Sequence, residues 1–189
     1  MIAPLPKNES ARLEALRQYE ILDTDPEEVF DDITRLAAYI CQTPIAVISF
    51  VDRDRQWFKA RVGLDPTETS RDCAFCAHAI LQETPMVVPD ALADLRFADN
   101  PLVTAAPSIR LYAGAPLITP EGFRLGTLCV IDRVSRALEP GQIAVLSMLA
   151  NQVMTQLDLR RDNAALRRSL DEHKRMLRES KESEQSLKT

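Results

Sequence analysis

Ile45-Ala46-Val47-Ile48-Ser49-Phe50-Val51 starts directly after Pro44, is rich in β-branched and apolar residues, and stops at the turn-forming Asp52-Arg53-Asp54-Arg55. Gln56-Trp57-Phe58-Lys59-Ala60-Arg61-Val62 follows at once and reads as the return strand of a hairpin. The same grammar recurs downstream, where Ile109 to Ile118, a Thr119-Pro120-Glu121-Gly122 turn and Arg124 to Asp132 form a second hairpin. Strands joined by tight turns specify antiparallel pairing, because a parallel pair needs a crossover of about a dozen residues or more. Pro85-Met86-Val87-Val88 adds a brief strand between the hairpins, and residues 91–107 form an irregular stretch with one helical turn.

Helical patterns flank these strands. Asn8-Glu9-Ser10 caps a first amphipathic segment with apolar positions Leu13, Leu16 and Ile21 or Leu22. Asp25-Pro26-Glu27-Glu28 combines an N-cap, a proline at the first helical position and a capping-box glutamate. The stripe behind it runs Val29, Ile33, Leu36, Ala37 and Ile40, and Asp72 is placed to cap a short helix from Cys73 to Leu81. Helices beside an antiparallel sheet define an α+β architecture.

Glu139-Pro140 opens the last helix, and no Gly or Pro interrupts residues 142–189. Leu149, Gln156, Asn163, Leu170, Leu177 and Glu184 lie seven apart, and Gln152, Leu159, Leu166, His173, Ser180 and Leu187 run three positions behind them. This heptad register specifies a helix whose seam is buried against another helix. At ~1.5 Å per residue the helix spans on the order of 70 Å. To Met154 the wide stripe of Ile143, Leu146, Leu149, Ala150 and Val153 suits packing on the domain's own sheet. Beyond Leu157 it narrows to a two-position coiled-coil seam of Gln156, Leu159, Asn163, Leu166, Leu170 and Leu177. Asn163 at a seam position favours two parallel strands.

The chain has 189 residues and a formal net charge of −5. From Asp158 onward nine Lys/Arg face seven Asp/Glu, leaving 14 basic against 21 acidic residues in the body, which argues against nucleic acid as a partner. No apolar run approaches the ~20 residues of a bilayer span, and the start lacks a basic patch ahead of an apolar core. A cytoplasmic protein without a membrane partner is expected. Four cysteines then read as thiols rather than a disulfide framework, with Cys41 and Cys129 as small buried hydrophobes.

Arg71-Asp72-Cys73-Ala74-Phe75-Cys76-Ala77-His78-Ala79-Ile80 resembles one signature segment of bacterial GAF domains, and Phe97-Ala98-Asp99-Asn100-Pro101-Leu102-Val103 is similar to a second. Ile109 to Leu117 and Leu125 to Asp132 look like the third and fourth, in the right order, from about Asp25 to Leu157. The resemblance implies a GAF/PAS-like sheet of about six antiparallel strands, with helices on one face and a small-molecule pocket on the other. It also implies a place in signalling proteins, including two-component systems, upstream of a histidine kinase, diguanylate cyclase or PAS module. It supplies no ligand, since relatives hold cyclic nucleotides, tetrapyrroles, haem or small metabolites.

Cys73 and Cys76 form the most reactive-looking group. A cysteine in the first turn of a helix feels its positive end, which lowers the thiol pKa and suits redox sensing. The bland alternative has Phe75, Ala79 and Ile80 facing the core while Cys76 packs as a small residue. His78 is placed either for haem ligation or, more simply, for a hydrogen bond near Arg71 or Asp72. Arg110 and Tyr112 share a strand face and suit an anionic or aromatic ligand, while Asp90, Asp99 and Asn100 lie in the loop covering that face. Alternatively Asp99 and Asn100 cap the Pro101 turn and Arg110 pairs with an acidic neighbour. Glu27, Glu28, Asp31 and Asp32 read as a solvated face at a helix start. No phosphate-cradling loop, nucleophile elbow or metal motif appears, so neither catalysis nor a metal or cofactor is required.

These readings divide the chain into a helical lead-in (1–24), a GAF-type sensory domain (25–157) and a coiled-coil signalling helix (158–189). The ligand candidates are Arg71, Phe75, Cys76, His78, Asp90, Asp99, Asn100, Arg110 and Tyr112, with Cys73 and Cys76 as the redox alternative. The function expected is a sensor that binds a small molecule or senses redox state and signals through a parallel homodimer to an output domain. The alternatives are a GAF-fold enzyme of the free methionine sulfoxide reductase type and a dimerisation spacer without a ligand.

Overall fold

The computed structural model describes the backbone of residues 1–186 and the side chains of residues 1–182, so the heptad positions Glu184 and Leu187 fall outside the described side chains. The strands are β1 (Ile45–Val51), β2 (Arg55–Val62), β3 (Glu68–Ser70), β4 (Met86–Val88), β5 (Leu111–Ile118) and β6 (Arg124–Asp132). They form one antiparallel sheet in the order β3-β2-β1-β6-β5-β4. The third strand lies in the polar stretch between Val62 and Arg71. Its three residues carry no apolar alternation, and only pairing with β2 (Gln56 opposite Thr69) defines it.

All of β1 is buried because both faces of the sheet are covered. Ala46, Ile48 and Phe50 join one core, while Ile45, Val47 and Val51 join the other. The first core packs against α1 (Glu9–Gln18), α2 (Glu28–Cys41) and the start of α5 (Pro140–Ser186), which buries Leu146, Ala150, Val153, Met154 and Leu157. The second is closed by the short helices α3 (Phe75–Ala79) and α4 (Pro101–Thr104) with their loops. The architecture is α+β, a six-stranded antiparallel sheet flanked by helices with a long helix leaving it.

Three local expectations are corrected. Helix α2 starts at Glu28 with no side-chain cap, and its buried set is Phe30, Thr34, Ala37, Ala38 and Cys41. Val29 and Leu36, expected to be buried, stand 38% and 44% exposed. The helix is apolar on two faces, and the sheet takes the face where Ala37 and Ala38 allow close approach. The helix expected from Cys73 to Leu81 is broken into a 3-10 turn, Arg71–Cys73, and the five-residue α3. Ser70, not Asp72, caps the turn, its Oγ accepting from the Asp72 N–H at 3.3 Å, and Ala74 is extended between the two pieces. Finally, the first helix ends at Gln18, so Ile21 lies in the buried turn beyond it.

Beyond Leu157 the terminal helix leaves the body. Leu159, Leu166, Leu170 and Leu177 are between 49% and 59% exposed. Among the described residues, no helix is long and apolar enough to cross a membrane.

Candidate functional site

The second core is not completely filled. A cavity of about 110 Å³ lies between the sheet and α3, with Val47, Phe58, Cys129 and Ile131 at its floor and Phe75 and Tyr112 as aromatic walls. Leu64 and Pro66 after β2, with Leu102, Ala106, Pro107 and Ile109 around α4, bound its outer side. Phe75 stacks on Phe97 at 4.0 Å between centroids and tilts against Tyr112 at 5.1 Å.

Two glycines set this geometry. A Cβ at Gly114 would fall 2.2 Å from the Tyr112 hydroxyl, so the absent side chain lets the phenol lie along the sheet toward α3. A Cβ at Gly126 would fall 1.8 Å from the Ser49 carbonyl oxygen, so glycine permits the close approach of β6 to β1 that sets Thr127 opposite Ser49.

The hydroxyls so placed converge on one sulfur. Tyr112 donates to Cys76 Sγ at 3.3 Å and Thr127 at 3.0 Å. Because Thr127 spends its single proton on the sulfur, the 3.3 Å contact with Ser49 is one in which Ser49 donates. Burial opposes ionisation of Cys76, but the neighbouring Cys129 thiol and the hydroxyl bonds from Thr127 and Tyr112 outweigh it and lower its pKa. The same cluster pushes Tyr112 up, by burial and the adjacent sulfur, and Cys129 up, by its bond to Cys76 and by burial.

Opposite this cluster the lining carries unmet polarity. Gln56 and Thr69 are cross-strand partners and both line the cavity. Gln56 is 7% exposed, and neither its Oε1 nor the Thr69 Oγ1 has a hydrogen-bond partner among the described residues. Neither residue is singled out by the sequence. A glutamine in a hairpin strand and a threonine in a polar loop carry no signal until β3 forms and faces them inward.

Of the sequence candidates, Phe75, Cys76 and Tyr112 line the cavity, and the rest serve the frame around it. Arg71 is buried and donates to Glu9 and to the Asp52 and Arg53 carbonyls. With Arg12 it draws Glu9 down to about 2, against the burial that would raise it. His78 Nε2 meets the Met1 carbonyl at 3.1 Å rather than Arg71 or Asp72, and burial lowers its pKa. Asp90 accepts from the Leu92 N–H, and Asp99 pairs with the Met1 ammonium at the surface. Asn100 caps α4 through the Leu102 N–H at 2.9 Å and donates to the Cys73 carbonyl at 3.0 Å. Arg110 donates to the Val103 and Ile109 carbonyls. Cys73 is half-buried, bonded to the Ser70 carbonyl and pushed up by burial. The helix start expected to activate it is absent. Among the described residues no cluster of three His, Cys, Asp or Glu is arranged to hold a metal.

The reverse face of β2 carries a second polar group. A β-bulge between Ile48 and Ser49 leaves Lys59 unpaired between Phe58 and Ala60, and it points to the helix side. Its ammonium, with the side chain fully buried, donates to Thr24 Oγ1, the Asp25 carbonyl and Glu27 Oε1 at 2.6–2.9 Å. Glu27 also accepts from Arg160 Nε at 3.0 Å, where α5 leaves the domain. Arg160 reaches the Tyr19 and Glu20 carbonyls, and the Tyr19 hydroxyl donates to Asp158 at 2.9 Å. Glu27, taken from sequence as part of a solvated acidic face, is instead the centre of this latch. Only the bulge and the approach of α5 bring its partners to it.

Comparison with known proteins places this geometry. A region of a cyclic di-GMP phosphodiesterase of Pseudomonas aeruginosa is 46% identical over 155 residues, covering 82% of this chain but 26% of that protein. This chain therefore spans about a quarter of that relative. The GAF domain of a Coxiella burnetii phosphoenolpyruvate-protein phosphotransferase superposes with a TM-score of 0.62 at 17% identity, covering 84% of this chain and 99% of that one. A type II free methionine-R-sulfoxide reductase of Thermoplasma acidophilum gives 0.55 at 15% identity, over 69% and 92%. At such identities the two structures share the fold alone. The family model described as GAF domain matches residues 25–157, most of the length, and the chain belongs to the GAF domain family.

Proposed function

We propose that this chain is a regulatory sensor module. A small molecule in the cavity biases the terminal helix, and the helix acts on an output domain of the kind its Pseudomonas relative is named for, a cyclic di-GMP phosphodiesterase. The observation that carries the reading lies on β2. Adjacent residues there serve the two ends of the signal, Phe58 lining the cavity and Lys59 anchoring the Glu27–Arg160 latch at the helix exit. Occupancy can move the helix only to the extent that the cavity binds differently in the two states of the latch.

The unit proposed to carry the signal is a parallel homodimer. The half-exposed leucines of α5 offer the seam, at Gln156, Leu159, Asn163, Leu166, Leu170 and Leu177. The second apolar face of α2, with Val29, Leu36 and the 82% exposed Tyr39, extends the unpartnered surface. Boundaries at 24/25 and 157/158 are proposed with it: among the described residues Leu157 is the last buried residue of α5, while residues 1–24 add Leu16, Tyr19 and Ile21 to the domain's core. The free methionine sulfoxide reductase alternative is disfavoured by the lining, which among the described residues offers no Asp or Glu to the ammonium and no Lys or Arg to the carboxylate of a free amino acid. The test is a spin label at Ala165, read for inter-label distance before and after Glu27→Gln. A distance that moves by several ångströms supports the relay. A monomer by light scattering, or an unchanged distance, overturns it.

A further inference from the structure

The cavity's chemistry narrows the ligand. Among the described residues, no Lys, Arg, His, Asp or Glu lines it. A phosphate or carboxylate would enter stripped of water with no opposite charge to meet it, a cost of several kcal/mol or more, and a cation would find only the Cys76 sulfur, which already accepts from Tyr112 and Thr127. Its volume of about 110 Å³ is of the same order as the ~150 Å³ engineered cavity that admits benzene, far below what a nucleotide or tetrapyrrole needs. Aromatic side chains flank the space. At one edge, cross-strand neighbours Gln56 and Thr69 hold buried oxygens with no partner among the described residues. An acceptor left so in a dry core is expensive unless something donates to it.

We infer that the cavity takes a neutral, single-ring aromatic molecule with one O–H or N–H, the ring packed against the Phe75–Tyr112 pair and the donor on Gln56 Oε1 beside Thr69. Cys76 is already the acceptor of two hydroxyl protons, so it leaves the ligand's donor to Gln56. The inference rests on the cavity being the sensor's ligand site.

Calorimetric titration of the chain with phenol, benzene, cyclic AMP and cyclic GMP tests it. Phenol is expected to bind at least about tenfold more tightly than benzene, the worth of one buried hydrogen bond. The cyclic nucleotides are expected not to bind. Gln56→Met, similar in length but unable to accept, should abolish the preference for phenol over benzene, and Thr69→Val, on a short edge strand, should reduce it. Equal affinities for phenol and benzene, a preference surviving both substitutions, binding of a cyclic nucleotide, or no binding of either ring at about 10 mM would each overturn the inference. Water alone satisfying Gln56 and Thr69 would appear as that last outcome. Phenol that binds without moving the Ala165 inter-label distance leaves this ligand class standing and removes the relay. A different co-purifying molecule that does move it has the opposite effect.

Discussion

The two faces of the sheet are built to opposite specifications. On the helix face Ala46, Ile48, Phe50, Trp57 and Ala60 pack against three helices, and the buried charge of Lys59 is met by three oxygens. On the other face, among the described residues, the cavity lining holds no Lys, Arg, His, Asp or Glu, the core is incomplete, and two oxygens have no partner. In the proposed relay, a packed face with a charged latch is the side that passes displacement to the helix. In the same proposal, the incomplete face is the side that takes the ligand. Strand β2 belongs to both, and one extra residue at its bulge sends Phe58 one way and Lys59 the other.

The contrast is tested most severely at the latch. Glu27→Leu leaves the fully buried Lys59 ammonium with only neutral acceptors, and we expect a loss of about 3 kcal/mol in urea unfolding. Lys59→Met should cost less, since the charge leaves with the side chain. If the order were reversed, the latch would not be the charged core of this face. Neighbouring residues in β1 test packing directly. Ala46→Leu, on the packed face, should cost about 2 kcal/mol by overfilling, whereas Val47→Ile, facing the cavity, should change stability by less than about 0.5 kcal/mol. Equal costs would mean that the cavity has no room to give.

The pH dependence sharpens the same comparison at the domain's rim. Glu9, held by Arg12 and Arg71, titrates at about 2 in the folded chain and near 4.3 when unfolded. A depressed carboxylate contributes stability that is full above the unfolded value and lost as pH falls toward the folded one. Glu9→Gln should therefore lower stability by about 1.5 kcal/mol at pH 7. The gap in Tm between it and the parent chain should close between about pH 4.5 and 2. The smallest effect on folding is expected at the seam. Leu166→Glu should shift domain unfolding by less than about 0.5 kcal/mol while converting a dimer to a monomer in light scattering.

Most of the frame is legible in the chain because it rests on short-range rules. Both hairpins follow from near-continuous apolar runs around tight turns. The terminal helix follows from its heptads and the absence of breakers. The site is less legible. Phe75, Cys76 and Tyr112 stand out as an aromatic–thiol group near a strand, yet Arg110 and Asn100, equally conspicuous, spend their polarity on nearby backbone groups. A polar side chain's partner depends on which carbonyls or amides end up within reach, and that is settled by tertiary contacts. Helix α2 shows the same limit for apolar residues, since two stripes fit helical periodicity and only docking selects the one with Phe30 and Ala37.

By itself, then, the sequence determined the antiparallel hairpins, the long terminal helix and the change in that helix near Leu157, because local periodicity and turn chemistry act over a few residues. The tertiary structure alone decided three things: the pairing of Gln56 with Thr69, the turning of Lys59 through a bulge to Glu27 and Arg160, and the gathering of Ser49, Tyr112 and Thr127 around Cys76. These groups are separated by 13 to more than 100 positions in the chain. Their meeting depends on strand register and on glycine-permitted close approach, quantities that no local window of sequence contains.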